Sequence, residues 1–68
     1  MPAPDPASTS ADLAAVADTV SRSRDRVASL AEPYLGTDRE DIVAAVYEAE
    51  RQLRGAERAL LRALKLLA

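Results

Sequence analysis

Apolar residues recur at steps of three and four between residues 11 and 32: Leu13, Val16, Ala17, Val20, Val27, Leu30 and Ala31. At 100° per residue this spacing gathers them on one face, so the pattern predicts a first helix over about 11–32. Ahead of it, MPAPDPASTS holds Pro2, Pro4 and Pro6 among small polar residues without periodicity. That stretch predicts a disordered tail over 1–10, with Thr9 or Ser10 as the helix N-cap. Behind the helix, Pro33 disfavours helical geometry at Glu32, and Gly36 is the natural left-handed stop. The pattern leaves open whether Pro33–Leu35 adds a last turn.

Thr37-Asp38-Arg39-Glu40 matches a capping box, in which the Thr37 hydroxyl accepts from the Glu40 amide while the Glu40 carboxylate reaches back. Asp38, Glu40 and Asp41 then sit at the positive end of a helix dipole. A second helix is predicted over about 38–68, roughly 46 Å long at 1.5 Å per residue. Gly55 weakens it by ~1 kcal/mol and bends rather than breaks it. Ile42, Val46, Ala49, Leu53, Ala56, Leu60, Ala63 and Leu67 alternate at four and three, a heptad seam with alanine along one side.

The short Pro33–Gly36 connection makes the two helices antiparallel neighbours. Pairing Ala31 with Ile42 sets Val27 against Val46, Arg24 against Ala49, Val20 against Leu53, Ala17 against Ala56 and Leu13 against Leu60. In that register the first helix ends before Ala63, Leu64, Leu66 and Leu67 are covered. Two helices alone also enclose no interior. The fold class expected is therefore all-α: an antiparallel two-helix hairpin, two copies of which pair as a homodimeric four-helix bundle.

Composition narrows the chemistry. The 68 residues include no His, Cys, Trp or Phe and two glycines. Imidazole general bases, thiolate nucleophiles, zinc fingers, disulfides and glycine-rich phosphate loops are thereby excluded. A core this small seldom supplies more than ~3–5 kcal/mol without disulfides, metals or partner chains, which leaves oligomerisation as the expected support. Residues 1–10 lack the basic start and apolar run of a signal peptide, and the longest apolar run, Ile42–Tyr47, is far below the ~20 residues that span a bilayer. The expected setting is cytoplasmic, and the Ala, Arg and Pro bias suggests a high-GC, bacterial genome.

Charge is divided along the chain. Residues 1–50 carry four bases and ten acids, and residues 51–68 carry five bases and one acid, so −6 and +4 make the net −2. On a helical wheel Arg51, Arg54, Arg58, Arg62 and Lys65 share an arc of roughly 80° opposite the Ala/Leu seam. Such a stripe fits an anionic partner, either membrane or nucleic acid, and equally the solvated outside of a bundle near a helix C-terminus. Arg22, Arg24 and Arg26 in SRSRDR are offset by Asp12, Asp18 and Asp25, a weak signal for nucleic acid. Glu48, Glu50, Arg51, Gln52 and Arg54 resemble an Arg–carboxylate site but read better as pairs at helical spacing on a solvated face. Asp38, Glu40 and Asp41 lack the alternating ligands and glycine of a calcium loop.

These observations predict a non-enzymatic interaction or oligomerisation module, a small accessory or regulatory subunit without cofactor, metal or small-molecule substrate. Its partner is a second copy or another helical protein, through Leu53, Ala56, Leu60, Ala63, Leu64 and Leu67. The alternative is a peripheral binder of an anionic surface through the basic stripe. Arg24, the one charged position in the first seam, is expected to run toward Glu50 or Gln52 and fix the helix register at some expense in stability.

Overall fold

The computed structural model describes residues 3–68. Helix α1 spans Pro6–Ser29, a 3-10 turn spans Glu32–Tyr34, and helix α2 spans Glu40–Leu67. The two helices form a hairpin with principal extents of 57 × 20 × 14 Å. Its radius of gyration is 16.3 Å, against about 11 Å for a compact domain of this length. The molecule is a rod one helix pair thick.

Helix α1 begins earlier than the apolar pattern predicts. Asp5 is the N-cap, with extended backbone, and its carboxylate accepts from the Ala7 amide at 3.1 Å and the Ser8 hydroxyl at 3.2 Å. Pro6 takes the first helical position, where a missing N–H removes no helical bond. The Thr9 hydroxyl, expected to cap, instead donates to the Asp5 carbonyl at 3.3 Å. Of the expected tail over 1–10, residues 6–10 are thus helical, and residues 1 and 2 lie outside the described ones. The Asp-Pro pair is a start signal that proline content alone disguises.

Helix α1 ends at Ser29, short of the predicted residue 32, and the chain tightens through bonds from Leu30 to Val27 and Tyr34 to Ala31, both 3.0 Å. Pro33 is accommodated inside the 3-10 turn, so the Pro33–Leu35 stretch is a separate turn rather than an end of α1. Gly36 takes the left-handed backbone expected of it, φ +74°. Thr37 then closes the connection instead of capping α2. Its hydroxyl donates to the Tyr34 carbonyl at 2.6 Å and accepts from the Arg39 amide at 3.2 Å. The capping box with Glu40 is not formed, because the threonine is engaged by the loop behind it. Arg39 is the N-cap, without a side-chain cap bond, and α2 starts two residues later than predicted.

Between the helices the inward positions are Ser10, Leu13, Ala17, Val20, Arg24, Val27 and Ala31 on one side, and Val43, Val46, Glu50, Leu53, Glu57, Leu60, Leu64 and Leu67 on the other. Both series alternate at three and four. The α2 series is rotated from the predicted seam: Ala49 and Ala56, expected to face α1, are exposed, and Val43, Glu50, Glu57 and Leu64 turn inward. Burial at ~25 cal/mol per Å² of apolar surface favours Val and Leu over Ala, and long glutamate stems lie along the seam with their carboxylates at its edge. On α1, Val16 and Leu30 are likewise outside the seam, 50% and 51% exposed.

The seam encloses little. Among the described residues Ala17 and Ala31 are the buried apolar ones, at 8% and 0% exposure, and no large side chain is fully buried. Small residues at these two points let the helix backbones approach closely. The register is shifted by about one turn from the predicted pairing, with Leu13 level with Leu64 rather than Leu60 and Arg24 paired with Glu57, so Ala63, Leu64 and Leu67, expected to be bare, are half-buried, while Leu66 remains 89% exposed. Helix α2 passes through Gly55 unbroken, and a Cβ built there meets nothing within 4 Å. Gly55→Ala is therefore expected to stabilise the hairpin by about 0.5–1 kcal/mol, seen as a higher midpoint in a circular-dichroism melt.

Candidate interaction surface

The candidate site is built from two layers of α2, the seam and the flank beside it. Of the six residues expected to form an oligomer interface, Leu53, Leu60, Ala63, Leu64 and Leu67 are half-buried by their own chain, and Ala56 is exposed. The helix brings them onto adjacent faces, and none is sealed by α1. Elsewhere on the rod Val16, Leu30 and Leu35, and on α2 Leu61 and Leu66, are each about half exposed or more.

Arg24 does occupy the seam, but its partner differs from the one expected. Its guanidinium Nη1 lies 3.2 Å from Oε2 of Glu57, and Nη2 lies 3.3 Å from Oδ1 of Asp25. The side chains of Arg24 and Glu57 are 28% and 22% exposed. Glu50 and Gln52 are engaged elsewhere, Glu50 by Arg54 and Gln52 by Glu48 at 3.0 Å. The reason is directional. Side chains lean toward the N-terminus of their own helix, so across an antiparallel pair Arg24 reaches toward the far end of α2 while Glu57 reaches back. Pairing residues by level alone ignores that lean.

The Oε2 atom of Glu57 is shielded from solvent and accepts no well-directed hydrogen bond. Among the described residues Arg24 is its one ion-pair partner. A carboxylate oxygen out of water depends on that single cation, which makes Arg24 and Glu57 a coupled unit. Glu57 escapes the sequence pattern because an acid does not count as a seam residue. The signal was nevertheless present: Val43, Val46, Glu50, Leu53, Glu57, Leu60, Leu64 and Leu67 keep unbroken heptad spacing once long charged stems are admitted.

The basic stripe divides in two. Arg51 pairs with Glu48 and Arg54 with Glu50, so these charges are neutralised locally. Among the described residues, Arg58, Arg62 and Lys65 form no ion pair, so the uncompensated charge lies at the open end of the hairpin. At the loop end, Arg39 clamps Asp41 with two bonds of 3.0 Å. The bond from Arg39 holds the Asp41 carboxyl below its ordinary range, and the same bond raises the Arg39 guanidinium. Glu32, Asp38 and Glu40 add further negative charge there.

Among the described residues there is no pocket and no group of three or more acidic side chains able to share a metal ion, and no helix is long and apolar enough to cross a membrane. Comparison with protein-family models, curated proteins and solved structures finds no match.

Proposed function

We propose that the chain is a helical interaction module that completes its core by packing against a second helical surface, in the first place another copy of itself as a four-helix bundle. The observation that carries this reading is surface area. The chain exposes 5162 Å², whereas a compact monomer of 7.3 kDa exposes about 4,200 Å². The excess of about 1,000 Å² is comparable to the ~800 Å² that each partner buries in a standard interface. With no large side chain fully buried among the described residues, the hairpin has the surface of half a bundle rather than of a finished domain. Sedimentation of the purified chain over a concentration series is expected to give twice the 7.3 kDa chain mass, dissociating on dilution. A folded monomer at all concentrations overturns self-association.

A second reading rests on Arg58, Arg62 and Lys65, which form no ion pair among the described residues. These three bases and the adjoining leucines fit an interfacial helix on an anionic membrane. The same leucines cannot serve a bundle and a bilayer together. Co-sedimentation with anionic vesicles separates the two readings: salt-sensitive binding abolished by Arg58→Glu with Arg62→Glu favours the membrane.

A further inference from the structure

Granting self-association, the side on which it occurs and the direction of the two copies follow from three features of the hairpin. The first is the phase of the residues flanking the seam. On α1, Val16 and Leu30 lie some 70–100° from the seam in one rotational sense. On α2, Ala49, Ala56 and Ala63 lie a similar angle from the seam in that same sense. In an antiparallel pair of right-handed helices, equal senses of rotation fall on the same side of the hairpin. One broad face therefore carries Val16 and Leu30 beside a column of alanines. The opposite face carries the half-exposed Tyr47 and Leu61 on α2, but Arg54 stands between them with Arg51 and Arg58 alongside, and a docking partner there must desolvate those charges.

The second feature is internal symmetry. Val16 and Leu30 are equidistant from Ser23, and Ala49 and Ala56 are equidistant from a point between Gln52 and Leu53. Taking the inward positions in order from the open end, Ser10 opposite Leu67 and Leu13 opposite Leu64, Arg24 falls level with Leu53. The two midpoints thus share nearly one level along the rod. A two-fold axis in the face at that level, across the helices, stacks α1 on α1 and α2 on α2, antiparallel. It sets Val16 against the second copy's Leu30 and Ala49 against the second copy's Ala56, where small side chains allow helix axes as close as ~8 Å.

Charge complementarity is the third feature and decides direction. The loop end holds Glu32, Asp38, Glu40 and Asp41 against Arg39, while the open end holds Arg58, Arg62 and Lys65 of α2 against the Asp5 cap and Asp12 of α1, so the first is strongly negative and the second is not. A parallel dimer brings two acidic loop ends together. The antiparallel one places the second copy's Arg62 and Lys65 at the level of Asp38 and Asp41. We infer that a second copy of this chain docks antiparallel on the Val16–Leu30–Ala49–Ala56 face, loop end over open end.

The chain lacks cysteine, so disulfide trapping reads the geometry directly. The variants Ala49→Cys and Ala56→Cys are prepared separately, their masses are checked under reducing conditions, and they are oxidised alone and as a mixture. The expected result is a cross-linked dimer from the mixture and little from either variant alone, because like positions are about 10 Å apart along the antiparallel axis, beyond disulfide reach. Cross-linking of each variant with itself shows a parallel dimer and overturns the direction. A dimer that cross-links in none of the three samples uses another face and overturns the proposal while leaving self-association intact. Wild-type chain that stays monomeric overturns the association reading and this inference together.

Discussion

Arg24→Leu is expected to lower the melting temperature, and adding Glu57→Leu is expected to restore it or carry it above the wild type. The single substitution removes the one cation beside a carboxylate oxygen that is shielded from water and has no hydrogen bond to fall back on. An unsatisfied shielded acceptor costs about 1–3 kcal/mol, more where it is charged. Both side chains retain some solvent access, which keeps the expected loss within that range rather than at the 3–5 kcal/mol of a sealed pair. At about 4–8 °C per kcal/mol for a chain this size, the midpoint falls by roughly 5–15 °C. The double variant replaces the pair by two leucines in a heptad seam, where apolar side chains pack without desolvating charge. Sequence reasoning gives the opposite sign for the single change, because it treats Arg24 as a polar seam residue that fixes register at some expense in stability. Thermal melts of the two single variants and the double variant form a cycle that measures the coupling. Independent, additive effects of the two leucines would contradict the coupled unit.

Leu60→Asp is expected to unfold the hairpin itself. In the sequence reading Leu60 belongs to an oligomer interface, and a charge there separates chains. In the structure it lies inside the α1–α2 seam, half-buried with Glu57 and Leu64 about a turn to either side. A carboxylate there loses water without gaining a cation, at several kcal/mol. That is comparable to everything a core of this size supplies. Far-ultraviolet circular dichroism is expected to show loss of most helical signal at low micromolar concentration. Leu66→Asp is the matched control: Leu66 is 89% exposed, and the fold should survive its replacement. A helical, monomeric Leu60→Asp chain would place the cost between copies rather than within one.

The fold was legible where apolar spacing dominates. Both helices, their hairpin arrangement and the inward position of Leu13, Ala17, Val20, Arg24, Val27 and Ala31 follow from steps of three and four. What escaped has physical causes that can be named. Asp5–Pro6 starts α1 because proline lacks only a hydrogen-bond donor that the first turn does not use, a fact hidden when prolines are counted as breakers. Thr37 abandons its capping box because the Tyr34 carbonyl and Arg39 amide lie within reach first. The α2 seam turns away from Ala49 and Ala56 because Glu50 and Glu57 can bury their stems and still place their charges beside arginines. The candidate interface residues were identifiable as a group from their heptad spacing. Their division into those serving the hairpin and the one left exposed, Ala56, depended on that rotation.

The near-absence of a sealed interior also shapes how stability responds to temperature. Heat capacity rises on unfolding mainly in proportion to the apolar surface newly hydrated. With alanines at its two buried points, a lone hairpin hydrates little on melting, so its stability curve is shallow and its transition broad. Docking a second copy adds apolar burial without lengthening the chain, and each protomer then gains curvature. If the proposed association occurs, calorimetric traces at rising protein concentration are expected to show a heat-capacity step per chain that grows with concentration, a record of assembly independent of any measurement of mass.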